Sequence, residues 1–494
     1  MSRGRAPAIA LLSGAALAFA FPGAGVAPLA WISLAPLLAI VRGRSTSASL
    51  RLGFLFGIGF FGVLLIWIKH VGWIPWLLLV LMQSVFTAGF GAAWARLSVR
   101  FRGLGAAAGA AALWVAVEYI RANMPVVGFT WGEIAQSQTN LPWMLPIAGI
   151  TGAWGITFLV VAVNALVVEV ARELKEKDRK HALVYMTGCV VLLAAPAAIP
   201  APDATGAPVS VAIAQGNVPE PFDGTITEKS IAILNSHVSL TAELAGEDVD
   251  LVVWPESAVG VDMNRNDFVG ESVSGAAATA DAEMIVGGNL DTEDGNYQVL
   301  AFHIGPDGEV VERYQKTHLV PFGEYVPGRA ALDWVPMLDQ VPRDAIAGTE
   351  PGLFEIEQGP VAPVISFEGD FGSLVRARMG EGGGRLLVVA TNTSTWGESW
   401  ASIQHVAFSR LRAAENGTWV VHAALSGVSA FIAPDGSVTQ TADLWTRALL
   451  RETVHMSDGP TFYGRVGDWL PILCLLVSLV DLVLASRRRA GTVA

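Results

Sequence analysis

"VAPVISFEGDF" (residues 361–371) is an apolar, β-rich run that stops abruptly at Ser366, Phe367 and Glu368. Such a run reads as a buried strand whose polar end carries a hydroxyl and a carboxylate to the edge of a sheet. Four further stretches have the same character: "VSVAIAQGN" (209–217), "DLVVWPES" (250–257), "AEMIVGGNL" (282–290) and "RLLVVATNT" (385–393). Two hairpins, 299–316 and 419–440, share a Pro-Asp-Gly turn, in which Pro presets φ and Gly accepts φ > 0. Helical patterns intervene at 226–245 and 401–415. Strands alternating with helices from 205 to 460 predict a layered α/β domain.

Outside that region the character changes. The 494-residue chain is 52% hydrophobic and only 15% charged, with a mean hydropathy of +0.47, too apolar for an ordinary soluble enzyme. Its net charge of −12 is unevenly spread. Residues 201–469 hold 37 acids and 14 bases, a balance of −23, and the rest hold 7 and 18, a balance of +11. A nucleic-acid partner would need a basic patch on the soluble part, so that class is excluded.

Apolar stretches of spanning or near-spanning length fall near 7–20, 27–41, 52–68, 73–95, 104–120, 144–168, 182–199 and 469–486. If eight spans alternate, one side collects 16 bases: Arg3 and Arg5, the groups at 42–51, 96–102 and 172–180, and Arg487 to Arg489. The opposite loops of the first half hold only Lys69 and Arg121. The positive-inside rule makes the basic side cytoplasmic, with both termini there and the acidic domain outside the cell membrane. The expected organisation is a seven-helix membrane domain (1–200), an extracytoplasmic domain (205–460), an eighth helix (468–488) and a cytoplasmic tail (489–494). Within the spans, Glu118 and Arg121 lie one helical turn apart and are expected to form an interfacial ion pair.

Cys189 and Cys474 both fall inside predicted spans, so the outer domain has no disulfide and no thiolate zinc site. His303, His318, His405 and His422 are scattered without a metal-binding spacing, and neither metal nor cofactor is expected.

Three predicted strands of the outer domain end in reactive groups. Glu256 stands just past "VVWP", Lys316 closes the first hairpin in "RYQKTHLVPFGEYVP", and Ser366 closes "VISF". A base, a cation and a nucleophile-type side chain at strand ends form the set that α/β enzymes gather at one sheet edge. The order of "WPES", "KTHLVPFGEYVP" and "VISFEGDF" resembles the nitrilase, or carbon-nitrogen hydrolase, superfamily. Together with the eight spans, "QGNVP", "TNTSTWG" and "QHVAFSRLRAAE", it resembles the apolipoprotein N-acyltransferase family over nearly the whole chain.

That resemblance implies a nitrilase-like αββα sandwich inserted between transmembrane helices seven and eight of an all-α membrane bundle. It implies transfer of an acyl chain from a phospholipid to an enzyme nucleophile, and then to the α-amine of a diacylated lipoprotein, in a bacterial plasma membrane. By motif position Glu256 is the general base and Lys316 stabilises the oxyanion, while Glu324 orients the site and Phe367 and Glu368 support the pocket. The family's cysteine position is Ser366 here. Thr393 and Ser394 stand where the family usually has Asp-Ala, and Gly224 where an aromatic lining residue is expected. A thiol has a pKa near 8.5 and an alcohol one closer to the ~15.7 of water, so the chemistry of the nucleophile is altered. Three readings therefore stay open: an acyltransferase using Ser366, a catalytically impaired homologue that binds lipid or lipoprotein, and a membrane-tethered amidase. The run 327–342, with Trp334, Met337, Trp396 and Trp400, is a candidate lid facing membrane lipids.

Overall fold

The computed structural model describes residues 4–332 and 334–491, except for the side chains of Pro336, Met337 and residues 488–491. The chain divides into two units. One comprises the segments up to Ala201, Ser399–Gln404 and from Val466 onward, and the other comprises Pro202–Glu398 and His405–Arg465.

The second unit carries two six-stranded sheets. The first runs, in spatial order, β12 (Ala448–His455), β1 (Pro208–Gln215), β2 (Leu251–Val259), β3 (Glu283–Asp291), β4 (Tyr297–Ile304) and β5 (Val310–Gln315). The second runs β11 (Val438–Thr441), β10 (Ala430–Ile432), β9 (Val420–Ala424), β8 (Leu386–Thr391), β7 (Gly359–Ile365) and β6 (Phe354–Ile356). The centre of each sheet is parallel, β1-β2-β3 and β7-β8-β9, and the outer strands are antiparallel. Parallel neighbours need crossover connections. Helices Ile226–Thr241 and Asp267–Ala280 lie between the parallel strands of the first sheet in sequence, and Ala401–Asn416 lies between β8 and β9.

The alternation of side chains explains the layers. Val209, Val211, Ile213, Leu251 and Val253 meet Val361, Ile365, Leu386 and Val388 between the two sheets. The intervening residues Ala212, Ala214, Val252 and Trp254 pack on Leu234, Val269 and Val273 of the helices over one face. Val364, Leu387 and Val389 do the same with Val375, Val406 and Ala413 over the other. The order helix, sheet, sheet, helix is the predicted sandwich. The helix from Ile226 starts on a capping box in which Thr225 and Glu228 satisfy each other's backbone N–H.

The first unit is helical. Among the described residues six helices are long and apolar enough to cross a membrane: Thr46–Leu64, Trp73–Leu97, Gly103–Asn123, Trp154–Glu176, Arg179–Ala198 and Trp469–Arg487. Two shorter apolar helices cover Ala6–Ala18 and Ala27–Val41. The helix expected from 144 begins only at Trp154, because Pro142, Pro146 and the left-handed Gly152 break the preceding stretch. Close packing rests on small residues: a Cβ on Gly59 would stand 2.0 Å from the carbonyl oxygen of Leu11, and one on Gly53 2.3 Å from that of Thr87.

Polar contacts draw several basic loops of this unit together. Arg42 binds Glu169 and donates to the Phe101 carbonyl at 2.8 Å, and Glu169 also accepts from Gly103 N–H and pairs with Arg172. The predicted Glu118–Arg121 pair takes a different form, because each group has partners of its own. Glu118 accepts from Trp114 Nε1, the Ile134 N–H and Thr157 Oγ1, and Arg121 donates to the Phe129 and Trp131 carbonyls and to Gln83. Both residues therefore anchor the loop that follows their helix.

Candidate active site

Glu256 lies inside β2 rather than just past it. Pro255 has no N–H, so pairing with β3 breaks after Trp254 and resumes at Val259, with Ser257 left-handed at φ 62°. This irregularity turns Glu256 out of the ladder. Lys316 follows β5 directly, its own N–H still bonded to the Val299 carbonyl. Ser366 follows β7 and opens a short helical turn, Ser366–Asp370.

The three carboxyl and amino groups meet. Lys316 Nζ donates to Glu256 Oε1 at 3.1 Å and to Glu324 Oε1 at 2.5 Å, and Glu324 Oε2 accepts the Val320 N–H at 2.7 Å. Glu256 Oε2 accepts the Asn392 N–H at 2.9 Å. One residue earlier, Thr391 Oγ1 donates to Ser366 Oγ at 3.2 Å. Successive residues at the end of β8 thus tie the nucleophile-type hydroxyl to the carboxylate that pairs with the lysine.

Electrostatics follow from burial. Lys316 is 1% exposed and Glu256 7%. Desolvation pushes the Glu256 carboxyl above the ordinary carboxylate range, against the pull of Lys316. Burial opposes the charge on Lys316, but Glu256 and Glu324 outweigh it and hold the ammonium protonated. Tyr297, on β4, is pushed up to about 12 by burial and by Glu324.

Glu368 joins the lysine segment to the nucleophile turn. Its Oε1 accepts from Tyr314 Oη (2.6 Å), Thr317 Oγ1 (2.8 Å), Thr317 N–H (2.9 Å) and His318 N–H (3.1 Å). Its Oε2 accepts the Ile365 N–H at 2.9 Å, immediately before Ser366, and Arg378 lies 3.4 Å from Oε1. Burial raises this carboxyl, but Arg378 and the donors outweigh burial, and it stays below the usual range. Phe367 packs edge-on to Phe371, and both rings contact His318.

Ser366 has φ 52°, a left-handed backbone that a side-chain-bearing residue rarely adopts. Such strain costs on the order of 1–3 kcal/mol and concentrates at functional sites. Sequence reasoning missed Thr391 and Asn392, which hold the hydroxyl and carboxylate in place, and took Ser394 only as a departure from the family pattern; Ser394 donates from its N–H and Oγ to Asn392 Oδ1 and so fixes Asn392. It also missed Arg378, whose guanidinium lies over Tyr314 and beside Glu368. For Thr391 and Asn392 the signal was their position at the end of an apolar strand, in "VVATNTS"; Arg378 had none.

The lid candidates are divided between the two units. Trp334 is 79% exposed, with its indole N–H bonded to the Ala331 carbonyl. Trp396 stands edge-on to His405. Trp400 belongs to the helical unit, where it packs against Phe19 and Gly23. The side chain of Met337 lies outside the described residues. Phe222 fills the space beside Gly224. Among the described residues no cluster of His, Cys, Asp and Glu has metal-holding geometry.

Residues 13–166 match the family described as apolipoprotein N-acyltransferase N-terminal domain, and residues 210–459 match carbon-nitrogen hydrolase. The chain is 33% identical to an apolipoprotein N-acyltransferase of Geobacter metallireducens, over 98% of this chain and 95% of that protein. It is 30% identical to one of Gloeobacter violaceus, over 97% and 93%. A solved amidase from Nesterenkonia sp. aligns with 52% of this chain and 92% of its own at 19% identity and a TM-score of 0.39.

Proposed function

The chain belongs to the apolipoprotein N-acyltransferase family, and from that premise we propose that Ser366 carries the acyl chain between a membrane phospholipid and the α-amine of a diacylglyceryl-cysteine lipoprotein. The protein is an acyltransferase of the membrane, with lipoprotein and phospholipid as its substrate classes. The observation that carries the assignment of residues is the Lys316 ammonium bound between Glu256 and Glu324, one strand end from the Ser366 hydroxyl.

In acylation Ser366 Oγ attacks the carbonyl carbon of the phospholipid ester, and Glu256 takes the hydroxyl proton. Lys316 faces the negative oxygen of the tetrahedral intermediate. Collapse expels the lysophospholipid alcohol, which recovers the proton from Glu256. The lipoprotein amine then attacks the acyl-Ser366 ester and gives its proton to Glu256, and Ser366 leaves with that proton restored. The raised Glu256 carboxyl suits an acceptor that must also give the proton back.

We read the six long apolar helices and the two shorter ones as eight spans, with the basic loops around Arg42, Arg100 and Arg172 in the cytoplasm and residues 202–465 outside it. The bonds among Arg42, Phe101, Gly103, Glu169 and Arg172 support that arrangement, since they join loops assigned to one side.

The alcohol at Ser366 supports a second reading, in which the scaffold binds lipid and lipoprotein with transfer disabled. Purified protein incubated with phospholipid and a diacylated lipopeptide decides between them by mass spectrometry. Acyl-Ser366 and triacylated product, both lost in Ser366→Ala, support transfer. Product only in Ser366→Cys establishes the disabled site, and product that persists in Ser366→Ala removes Ser366 as the nucleophile.

A further inference from the structure

Ser366 also touches a buried polar chain that the mechanism above does not use. Thr391 Oγ1 sits between Ser366 Oγ at 3.2 Å and His405 Nδ1 at 3.4 Å, and His405 Nε2 lies 3.1 Å from Asp370 Oδ1. All four side chains are buried: Thr391 at 0%, His405 and Asp370 at 1%, Ser366 at 7%. They come from three elements: the turn after β7, the end of β8 and helix Ala401–Asn416.

A threonine hydroxyl has one proton. When that proton goes to Ser366 Oγ, the contact with His405 holds together only if Nδ1 is itself the donor. The remaining ring nitrogen then faces the carboxyl, which can hold a proton on either side of the Nε2–Asp370 contact. We propose that Asp370 and His405 act through Thr391 as a line of hydrogen-bond donors ending on Ser366 Oγ. The line fixes the hydroxyl with its own proton free to point toward Glu256, and it stabilises the alkoxide as that proton leaves. Burial raises the Asp370 carboxyl, in keeping with a shared proton there. His422 is 5.0 Å from the His405 ring and is held neutral by burial, so it does not compete as a cation.

The chemistry explains why an alcohol would need such a line. A serine oxygen develops charge at a far higher pKa than a thiol, and each donor to it lowers the barrier. Sulfur is a weak acceptor and ionises readily, so a cysteine would gain little from it. Thr391, His405 and Asp370 are thus positioning residues for Ser366.

The inference rests on Ser366 being the acylated residue, and the test separates the two. Single-turnover formation of acyl-Ser366 is measured by mass spectrometry on the full-length protein in phospholipid vesicles. Thr391→Val, which keeps shape and loses the hydroxyl, slows it about 10- to 100-fold, the loss of one hydrogen bond to a charged oxygen. Thr391→Ser restores the rate. His405→Phe slows it similarly, and the double variant is no slower than either single one, because the residues act in series. In a Ser366→Cys background Thr391→Val changes acylation less than about threefold, whereas a merely structural defect would slow both backgrounds alike. Equal slowing in both backgrounds, additive effects, or an unchanged rate in Thr391→Val overturns the inference while leaving Ser366 as nucleophile. Acylated product in Ser366→Ala overturns the nucleophile itself, and the inference with it.

Discussion

Replacing Glu368 with Gln tests how the lysine segment is locked to the nucleophile turn. Both Glu368 oxygens face donors only: Tyr314 Oη, Thr317 Oγ1 and the N–H groups of Thr317 and His318 on one side, and the N–H of Ile365 on the other. An amide presents one oxygen and one NH2, so whichever way it turns, an NH2 meets an N–H or O–H donor. Arg378 also loses its carboxylate. Removing one partner of a buried ion pair costs about 3–5 kcal/mol, and the donor left facing NH2 is part of that loss. For a unit of this size about 2–4 °C accompanies each kcal/mol, so Tm falls by about 6–20 °C. The pH dependence has a fixed sign. The folded carboxyl titrates below its ordinary value of 4.5, so its contribution is present above that value and is lost as pH falls through the depressed one. Glu368→Gln therefore narrows the stability gap between pH 7 and pH 3 relative to the unsubstituted protein. Thermal unfolding in detergent followed by near-ultraviolet circular dichroism measures both. A Tm within about 1 °C of the original would refute the assignment of Glu368 as the tie between Lys316 and Ser366.

Three further outcomes follow from the same geometry. Lys316→Met removes the cation facing the intermediate and leaves Glu256 and Glu324 uncompensated, so acyl-enzyme formation drops by about 10²–10³-fold in a single-turnover assay. Because Glu256 titrates above the ordinary 4.5 and works as a base only when ionised, kcat/KM rises with pH through a limb lying above that value; a limb at or below it contradicts the assignment. Gly59→Val puts atoms against the Leu11 carbonyl, so the helical unit loses stability in a protease-protection assay without any change to residues 202–465.

Much of this architecture is written in side-chain periodicity. Alternation in "VSVAIAQ" and "RLLVVAT" exposes which residues face the other sheet and which face helices, and the apolar stretches mark the helices of the first unit. Lys316 and Ser366 were legible for the same reason, since a polar group at the close of an apolar run stands out, and so was Glu256, although it lies within β2 rather than at its end. What the sequence hides is backbone detail and partner choice. The Pro255 irregularity, the left-handed Ser366, and the division of Glu118 and Arg121 between separate partners depend on φ angles and on loops distant in sequence. His405 looked like any packed histidine in a helix, because its contact with Thr391 joins positions on two different elements.

That hidden layer changes how Ser366 is weighed. From the sequence alone a serine at this place leaves the reading divided between a working nucleophile and a disabled site, because an alcohol is far harder to ionise than a thiol. Folded, the same serine occupies a strained turn, accepts a hydrogen bond from Thr391, and lies one residue of β8 from the carboxylate bound to Lys316. A site that had merely decayed would be free to relax that turn, since a φ of 52° at a side-chain-bearing residue costs energy that only the surrounding contacts offset. Glu368, bound to the residue before Ser366 and to the two after Lys316, supplies those contacts. The strain and its restraint both serve the position of one oxygen atom, which is why substitution of Thr391 discriminates better than substitution of Ser366 itself. Removing the nucleophile stops the reaction whatever prepares its oxygen, whereas removing a donor to it slows the serine and spares a cysteine only if that oxygen must carry charge.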